Sequence, residues 1–394
     1  MMGLLAVATF VMGFSMIANR LSGTIITAPM VFLGFGAAFG QFGMLPDPAG
    51  ETALHLAAEA ALIILLFLDA AQIDQKALFQ RSVWPLRMLA IGLPLGFLIG
   101  IVAGVILLPD WPFALIALVA AILVPTDAAL GQAVVTNHAV PERARRALTV
   151  ESGMNDGLAL PLILVVAAFA APGSMAPPGG WALFAVLQVT LGPLIGGAMG
   201  WGAGHVLLWA KRTGATSDVF EGIGALALAV AAYLGATQIG GNGFIGAFAA
   251  GLGFGMVVGD RCKFVFEFTE GEGQLLSWTA FFLLGAVLVP PAIADLTWTM
   301  FGLILASLVI VRPLAIWFSL IGTDADIRTR LFFGWFGPRG LATALFALLV
   351  AEQLGHDWGE AVLHLAVNAV WISAILHGVT ARFGATIFGR HRAR

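Results

Sequence analysis

The sequence predicts an all-α polytopic membrane protein, with about 13 transmembrane helices in two inverted six-helix repeats. Three observations carry that prediction: composition, the recurrence of apolar runs, and the placement of the basic residues. Of 394 residues, 60% are hydrophobic and 10% are charged, and mean hydropathy is +0.96. A soluble domain is about a quarter charged, so charge this sparse cannot cover a globular surface. A soluble enzyme, a disordered chain and a nucleic-acid binder with a basic face are excluded. The apolar runs are continuous and do not alternate, which argues against a β-barrel. The single cysteine, Cys262, permits no intrachain disulfide.

A spanning helix needs about 20 mostly apolar residues. Met1 to Leu21 has no basic residue before its apolar run, so it reads as a first membrane helix and not as a cleavable signal. The spans that follow from this rule are 3–18, 24–40, 52–70, 86–108, 112–136, 149–171, 182–210, 218–236, 242–259, 275–291, 297–320, 331–351 and 360–381. They consume about two thirds of the chain at about 20 residues each, leaving short loops and no soluble regulatory domain. With the N-terminus placed outside, every Lys and Arg except Arg312 and Arg339 falls on the inner side. The outer loops carry Asp47, Glu51, Asp110, Asp295 and Asp357. That is the positive-inside pattern, and it places the C-terminus in the cytoplasm.

Three stretches break the apolar pattern. The fifth span contains Pro125, Thr126 and Asp127 near its middle. Proline removes a backbone donor, and Thr and Asp re-satisfy freed groups, so a discontinuous helix is expected there; a plain proline kink is the simpler alternative. The sixth span opens with Glu151, Ser152, Asn155 and Asp156. Glu151 and Asn155 share one helix face, and Ser152 and Asp156 share the next. The twelfth span contains Gly337, Pro338, Arg339 and Gly340, strong helix breakers flanked by apolar residues. With span seven (182–210) as a linker, repeat one covers 1–172 and repeat two 218–382, and spans five and twelve occupy matching positions of opposite topology. Inverted repeats with matched broken helices are the architecture of many secondary transporters. A charge at the bilayer centre costs about 2.5–3.5 kcal/mol on insertion scales, so Arg312 and Arg339 call for partners or a function.

PTDAAL at 125–130, ESGMNDGLALP at 151–161, GNGFIGAFAAGLGFG at 241–255, RPL at 312–314 and GPRG at 337–340 resemble the NhaP-type Na+/H+ antiporters. These form the electroneutral branch of the monovalent cation/proton antiporter superfamily. The resemblance covers nearly the whole chain. It implies thirteen helices, a core carrying crossed broken helices, a dimerisation domain and hence a homodimer. This chain has VESGM where the family more often has a GES-type opening, and TDA where TDP is common. Neither change removes a ligand. Many relatives carry a long cytoplasmic tail, and none is expected here. Matched to the family's positions, Asp156, Asp127, the Ser152 hydroxyl and the Thr126 backbone form the cation-ligand set. Asn155 hydrogen-bonds the break around Thr126, Glu151 pairs with Arg312, and Asp69 at the inner end of span three is either an outer-shell acid or a solvated loop residue.

A small hard cation favours oxygen ligands, and a poorly solvated carboxylate favours its protonated form. Cation and proton therefore compete for one site, and exchange follows when only the loaded carrier reorients. The expected function is antiport of Na+ or Li+ against one proton in a prokaryotic inner membrane, with no enzyme activity and no cofactor. The alternatives are K+/H+ exchange, an organic-anion transporter using Arg339 or Arg312, a cation channel, and a membrane aspartyl protease built on Asp127 and Asp156. Channels show selectivity filters in place of buried acids at mid-span breaks. His138 is a candidate pH sensor, His364 and His377 lie toward the ends of the last span, and Trp84, Trp111, Trp181 and Trp358 read as interface anchors.

Overall fold

The computed structural model describes residues 2–21, 24–43, 47–73, 83–127, 130, 134–135, 137, 139–171 and 180–390. His138 lies outside them, as does the side chain of Trp181. The described residues form helices and connections, with no strand among them. The helices are α1 (Met2–Leu21), α2 (Ala28–Gln41), α3 (Asp47–Ala71), α4 (Val83–Leu107), α5 (Phe113–Ile122), α6 (Glu142–Ala170), α7 (Gly180–Thr213) and α8 (Asp218–Gln238). They continue as α9 (Gly243–Val258), α10 (Lys263–Val287), α11 (Val289–Ala294), α12 (Trp298–Ser319), α13 (Ile327–Trp335), α14 (Leu341–Ala351) and α15 (His356–Arg390). Six are both long and apolar enough to cross a membrane: the 53–71 part of α3, then α4, α6, α8, α12 and the 356–386 part of α15.

Two groups of helices form the molecule. In one, α3, α7 and α8 surround α9, and α10 packs on α2, α3 and α8. In the other, α4, α5 and α6 pack in sequence, α12 lies on α4 and α13, and α15 covers α14. The groups meet where α6 crosses α3 and α9, where α14 touches α3, and where α15 touches α2 and α11. At Gly251 and Gly255 of α9 a Cβ would lie 2.0 and 2.3 Å from the Phe67 and Ala71 carbonyl oxygens. Only glycine allows this approach, and it fixes the turn of α3 that carries Asp69.

The interrupted spans are explained by local chemistry. Helix α5 stops at Ile122, and residues 124–127 run outside helix through Pro125. The twelfth span is two short helices, α13 and α14, joined by Phe336–Gly340. Two further irregularities are not evident from composition. Helices α4 and α12 each contain a π turn, Met88–Gly92 and Ser307–Val311. In each, an N–H reaches back five residues, Leu93 to the Met88 carbonyl and Arg312 to the Ser307 carbonyl. The next residue is Pro94 or Pro313, which has no N–H to donate and widens the turn before it. The motifs Gly92-Leu93-Pro94-Leu95 and Val311-Arg312-Pro313-Leu314 thus occupy like positions in the two halves, with Arg312 where the first half has leucine.

Three expectations are corrected. Helix α6 starts at Glu142, because Arg143, Arg145 and Arg146 extend it well beyond the apolar stretch, so Glu151 to Asp156 lie inside the helix and do not open it. Trp84 is not an interface anchor: it is 2% exposed, and its Nε1 donates to Asp324 Oδ1 at 2.8 Å. Arg143 lies 3.7 Å over the Trp84 ring and forks onto Asp324. That charged hydrogen bond holds the Asp324 carboxyl below its usual range. Asp69 is not a loop residue; it sits partly buried in the last turn of α3.

Candidate functional site

The two breaks cross and hydrogen-bond to each other. The Asp127 N–H donates to the Pro338 carbonyl at 2.9 Å. The Asp127 carboxylate in turn accepts from the Leu341 N–H at 2.8 Å. Leu341 is the first residue of α14, so Asp127 caps a half-helix whose N-terminus carries partial positive charge. Gly340 makes this possible, since a Cβ there would lie 1.8 Å from Asp127 Oδ2.

Helix α6 runs beside the first break. Asn155 Nδ2 donates to Thr126 Oγ1 at 2.6 Å, and Ser152 Oγ lies 3.5 Å from the same oxygen. Thr126 is 1% exposed, Asn155 is 2% exposed and Pro125 is buried. Asp156 is buried, and its Oδ1 has no hydrogen-bond partner among the described residues; the same holds for Asn155 Oδ1. A buried carboxylate oxygen left unpaired is costly unless something binds it. Asp127, Asp69 and Glu151 all act electrostatically on Asp156. Gly153 of α6 lies against the last turn of α3, a Cβ there meeting the Asp69 carbonyl at an ordinary 3.7 Å. The structure therefore gathers Asp69, Thr126, Asp127, Ser152, Asn155 and Asp156 around one region.

Glu151, one turn from Asn155 on the same face of α6, belongs to a second, adjoining cluster. Arg312 donates to both Glu151 oxygens, at 3.0 and 3.1 Å, and also to the Phe333 and Phe336 carbonyls at 3.4 and 3.2 Å. Arg339 donates to the Gly337 carbonyl at 2.8 Å and to Ser307 Oγ at 3.2 Å. Both guanidiniums thus offset the carbonyl end of α13. Gly337 is needed for the first of them, since a Cβ would overlap the Arg312 guanidinium.

Sequence reasoning missed Ser373 and named His377 without a role; both lie on α15. Ser373 Oγ accepts the Arg339 N–H at 2.7 Å. His377 is 2% exposed and contacts Ser373 Oγ at 3.1 Å and the Trp335 carbonyl at 3.0 Å. The available signal was polar residues at Ser373, His377 and Thr380, a helical stripe in an apolar span. Among the described residues no group of three or more His, Cys, Asp or Glu is placed to hold a metal ion.

The sequence model of a family described as "Sodium/hydrogen exchanger, transmembrane" matches residues 6–385. The K(+)/H(+) antiporter NhaP of Alkalimonas amylolytica is 28% identical over 342 residues, which are 85% of this chain and 57% of that protein. The K(+)/H(+) antiporter NhaP2 of Shewanella oneidensis is 26% identical over 89% of this chain and 61% of its own length. The chain therefore spans about three fifths of these curated relatives. The solved structure of the sodium proton antiporter MjNhaP1 from Methanocaldococcus jannaschii shares the fold, with a TM-score of 0.82 at 19% identity over 99% of both chains.

Proposed function

Because the chain belongs to the sodium/hydrogen exchanger family of integral membrane proteins, we propose that it is a secondary antiporter exchanging one monovalent cation for one proton at Asp156. The observation that carries this reading is the buried Asp156 carboxylate with an unpaired oxygen, set among other acids at a helix break. A proton or a cation satisfies that oxygen, and each excludes the other. Asp127, Ser152 and the Thr126 backbone supply further oxygens for the cation, with Asp69 as an outer-shell acid. Asn155 ties Thr126 to α6, so the ligands of the break and of the helix move together. Asp127, engaged with Leu341, contributes fixed negative charge. No bond is made or broken, and the cycle needs only that the two helix groups shift against each other while the site is loaded.

The cation is Na+ or Li+ in the first reading. A second reading, K+, is favoured by the K(+)/H(+) names of the two relatives. The organic-anion alternative is disfavoured, because Arg312 and Arg339 are already engaged by Glu151, Ser307 and backbone carbonyls. We place the chain in a prokaryotic inner membrane with its N-terminus outside, on the asymmetry of its basic loops. We also assign it to a homodimer; the exposed apolar face of α7, with Leu194, Trp201 and Trp209, supports this. Proteoliposomes containing a pH dye, challenged in turn with Na+, Li+, K+ and a model peptide, test the whole reading. Collapse of an imposed proton gradient by one or more of the cations is expected. Peptide cleavage, or no cation response at all, would overturn it.

A further inference from the structure

The second break is held from a third element. Span twelve changes direction between Trp335 and Leu341, and both lips of that gap are tied to one face of α15. Ser373 Oγ accepts the Arg339 N–H at 2.7 Å, so its own hydrogen is free to go to His377 Nδ1, 3.1 Å away. His377 Nδ1 also lies 3.0 Å from the Ser373 carbonyl; with the hydrogen of the neutral ring on Nε2, Nε2 donates to the Trp335 carbonyl at 3.0 Å and Nδ1 accepts from the Ser373 hydroxyl alone. One turn on, Thr380 Oγ1 accepts from the Trp335 indole at 3.1 Å. Every link between the helix end at Trp335 and the backbone at Arg339 is thus paired, in a place where Ser373 is fully buried and His377 nearly so.

We propose that Ser373 and His377 are positioning residues for the cation site, acting by fixing the width of the second break. Pro338 accepts from the Asp127 N–H, and Leu341 donates to the Asp127 carboxylate. These residues flank Arg339, whose N–H is the one Ser373 holds. A change of position at Arg339 is therefore passed directly to Asp127 and to Thr126 beside it. The proposal rests on the reading of Asp156 and its neighbours as the transport site. It adds a helix, α15, that contributes no ligand and still sets ligand geometry.

The test uses Ser373→Ala, Ser373→Thr, His377→Leu and His377→Gln in the full chain. Backbone hydrogen exchange over 336–341 is measured in nanodiscs, and the cation dependence of proton release in proteoliposomes. Ser373→Ala and His377→Leu should speed exchange over 336–341 and raise the cation KM about tenfold, the effect of one lost buried hydrogen bond. Ser373→Thr and His377→Gln, which keep a hydroxyl and an N–H donor, should recover the KM to within about threefold. Unchanged exchange over 336–341 in both deletion variants would overturn the staple itself. Faster exchange with an unchanged KM would show a purely structural role and overturn the positioning claim. If His377→Leu fails to fold, Ser373→Ala and His377→Gln still decide. A wild-type chain that moves no protons on cation addition would instead refute the transport reading, and the hydrogen-exchange arm would still judge the staple.

Discussion

The first break carries an acid and the second carries a base, and the two are finished to different degrees. Around the second break, the carbonyls of Phe336, Gly337 and Pro338 and the N–H groups of Arg339 and Leu341 all have partners. Arginines and α15 supply most of them. Beside the first break, the acceptors Asp156 Oδ1 and Asn155 Oδ1 are buried without a partner among the described residues, whereas at the second the buried atoms without one are donors, Arg312 Nε and Arg339 Nε. Buried polar atoms are normally satisfied, so the unpaired acceptors mark where something is meant to bind. The contrast separates a scaffold from a site: two interruptions of like placement, one whose backbone groups are paired by the protein itself and one left with acceptor oxygen to spare. Leu93 and Arg312 show the same divergence one span earlier, since only the second half needs a guanidinium to tie down carbonyls.

The sharpest way to break this comparison is at Asp156. Asp156→Asn keeps the size and the hydrogen-bonding capacity but cannot ionise. Cation-dependent proton release should fall by about a hundredfold or more, about 2.7 kcal/mol of lost driving interaction, while the chain still folds. Cation-driven proton release near the wild-type rate in that variant would place the exchanging group elsewhere. Next in size is the pair behind the second break. Removing one partner of a buried ion pair typically costs about 3–5 kcal/mol. Glu151→Ala and Arg312→Ala should each lower stability on that scale, and the double variant should cost less than their sum. Additive losses in thermal or denaturant unfolding would mean that the pair does not couple. A smaller effect is expected where the breaks touch. Gly340→Ala puts a methyl into the Asp127 carboxylate, an overpacking that typically costs about 1–3 kcal/mol. It should raise the cation KM more than it lowers the unfolding temperature, and an unaffected KM would argue that the crossing is not part of the site.

Much of this arrangement was legible in the chain because its causes are local. Apolar length reveals a spanning helix, and Pro125 and Gly337-Pro338 reveal interruptions, since neither residue type continues a helix at no cost. The four-residue spacing of Ser152 and Asp156 put them on one face before any fold was known. What was not legible depends on other elements. The start of α6 at Glu142 was hidden because counting apolar residues stops at the first arginines, although the helix continues through them. Asp69 looked like a loop residue because it lies at the end of an apolar run; the turn that carries it is held by glycines on α9. Trp84 resembled an interface anchor until Asp324 and Arg143, distant in sequence, supplied its partners. The π turns in α4 and α12 follow prolines that by themselves read as ordinary kinks. Ser373 and His377 carry a helical spacing, but only the position of the second break gives that spacing a meaning.

The finest test of the comparison concerns charge, and the expected effect is zero. The resemblance implies that relatives which move net charge carry two adjacent acids where this chain has Asn155 and Asp156. Asparagine brings no charge and no titratable proton, and here its amide is committed to Thr126. Glu151 is held by Arg312 at two points and has no cause to cycle. Asp127 keeps its hydrogen bond from Leu341 at the half-helix end. On the proposed reading, with Asp69 in the outer shell, Asp156 is the group that trades a proton for a cation, and a one-for-one exchange moves no net charge. A membrane potential acts on net charge at about 2.3 kcal/mol per 100 mV, so it should leave the equilibrium of this exchange unmoved. In proteoliposomes whose voltage is clamped with potassium and valinomycin, opposing Na+ and proton gradients can be scanned for the point of no net flux. That point should stay fixed as the voltage is varied. A null point that shifts with voltage would mean a second acid titrates in each cycle. Asp69 and Asp127 would then have to be separated by Asp69→Asn and Asp127→Asn, because whichever variant restores a voltage-independent null point carries the additional proton.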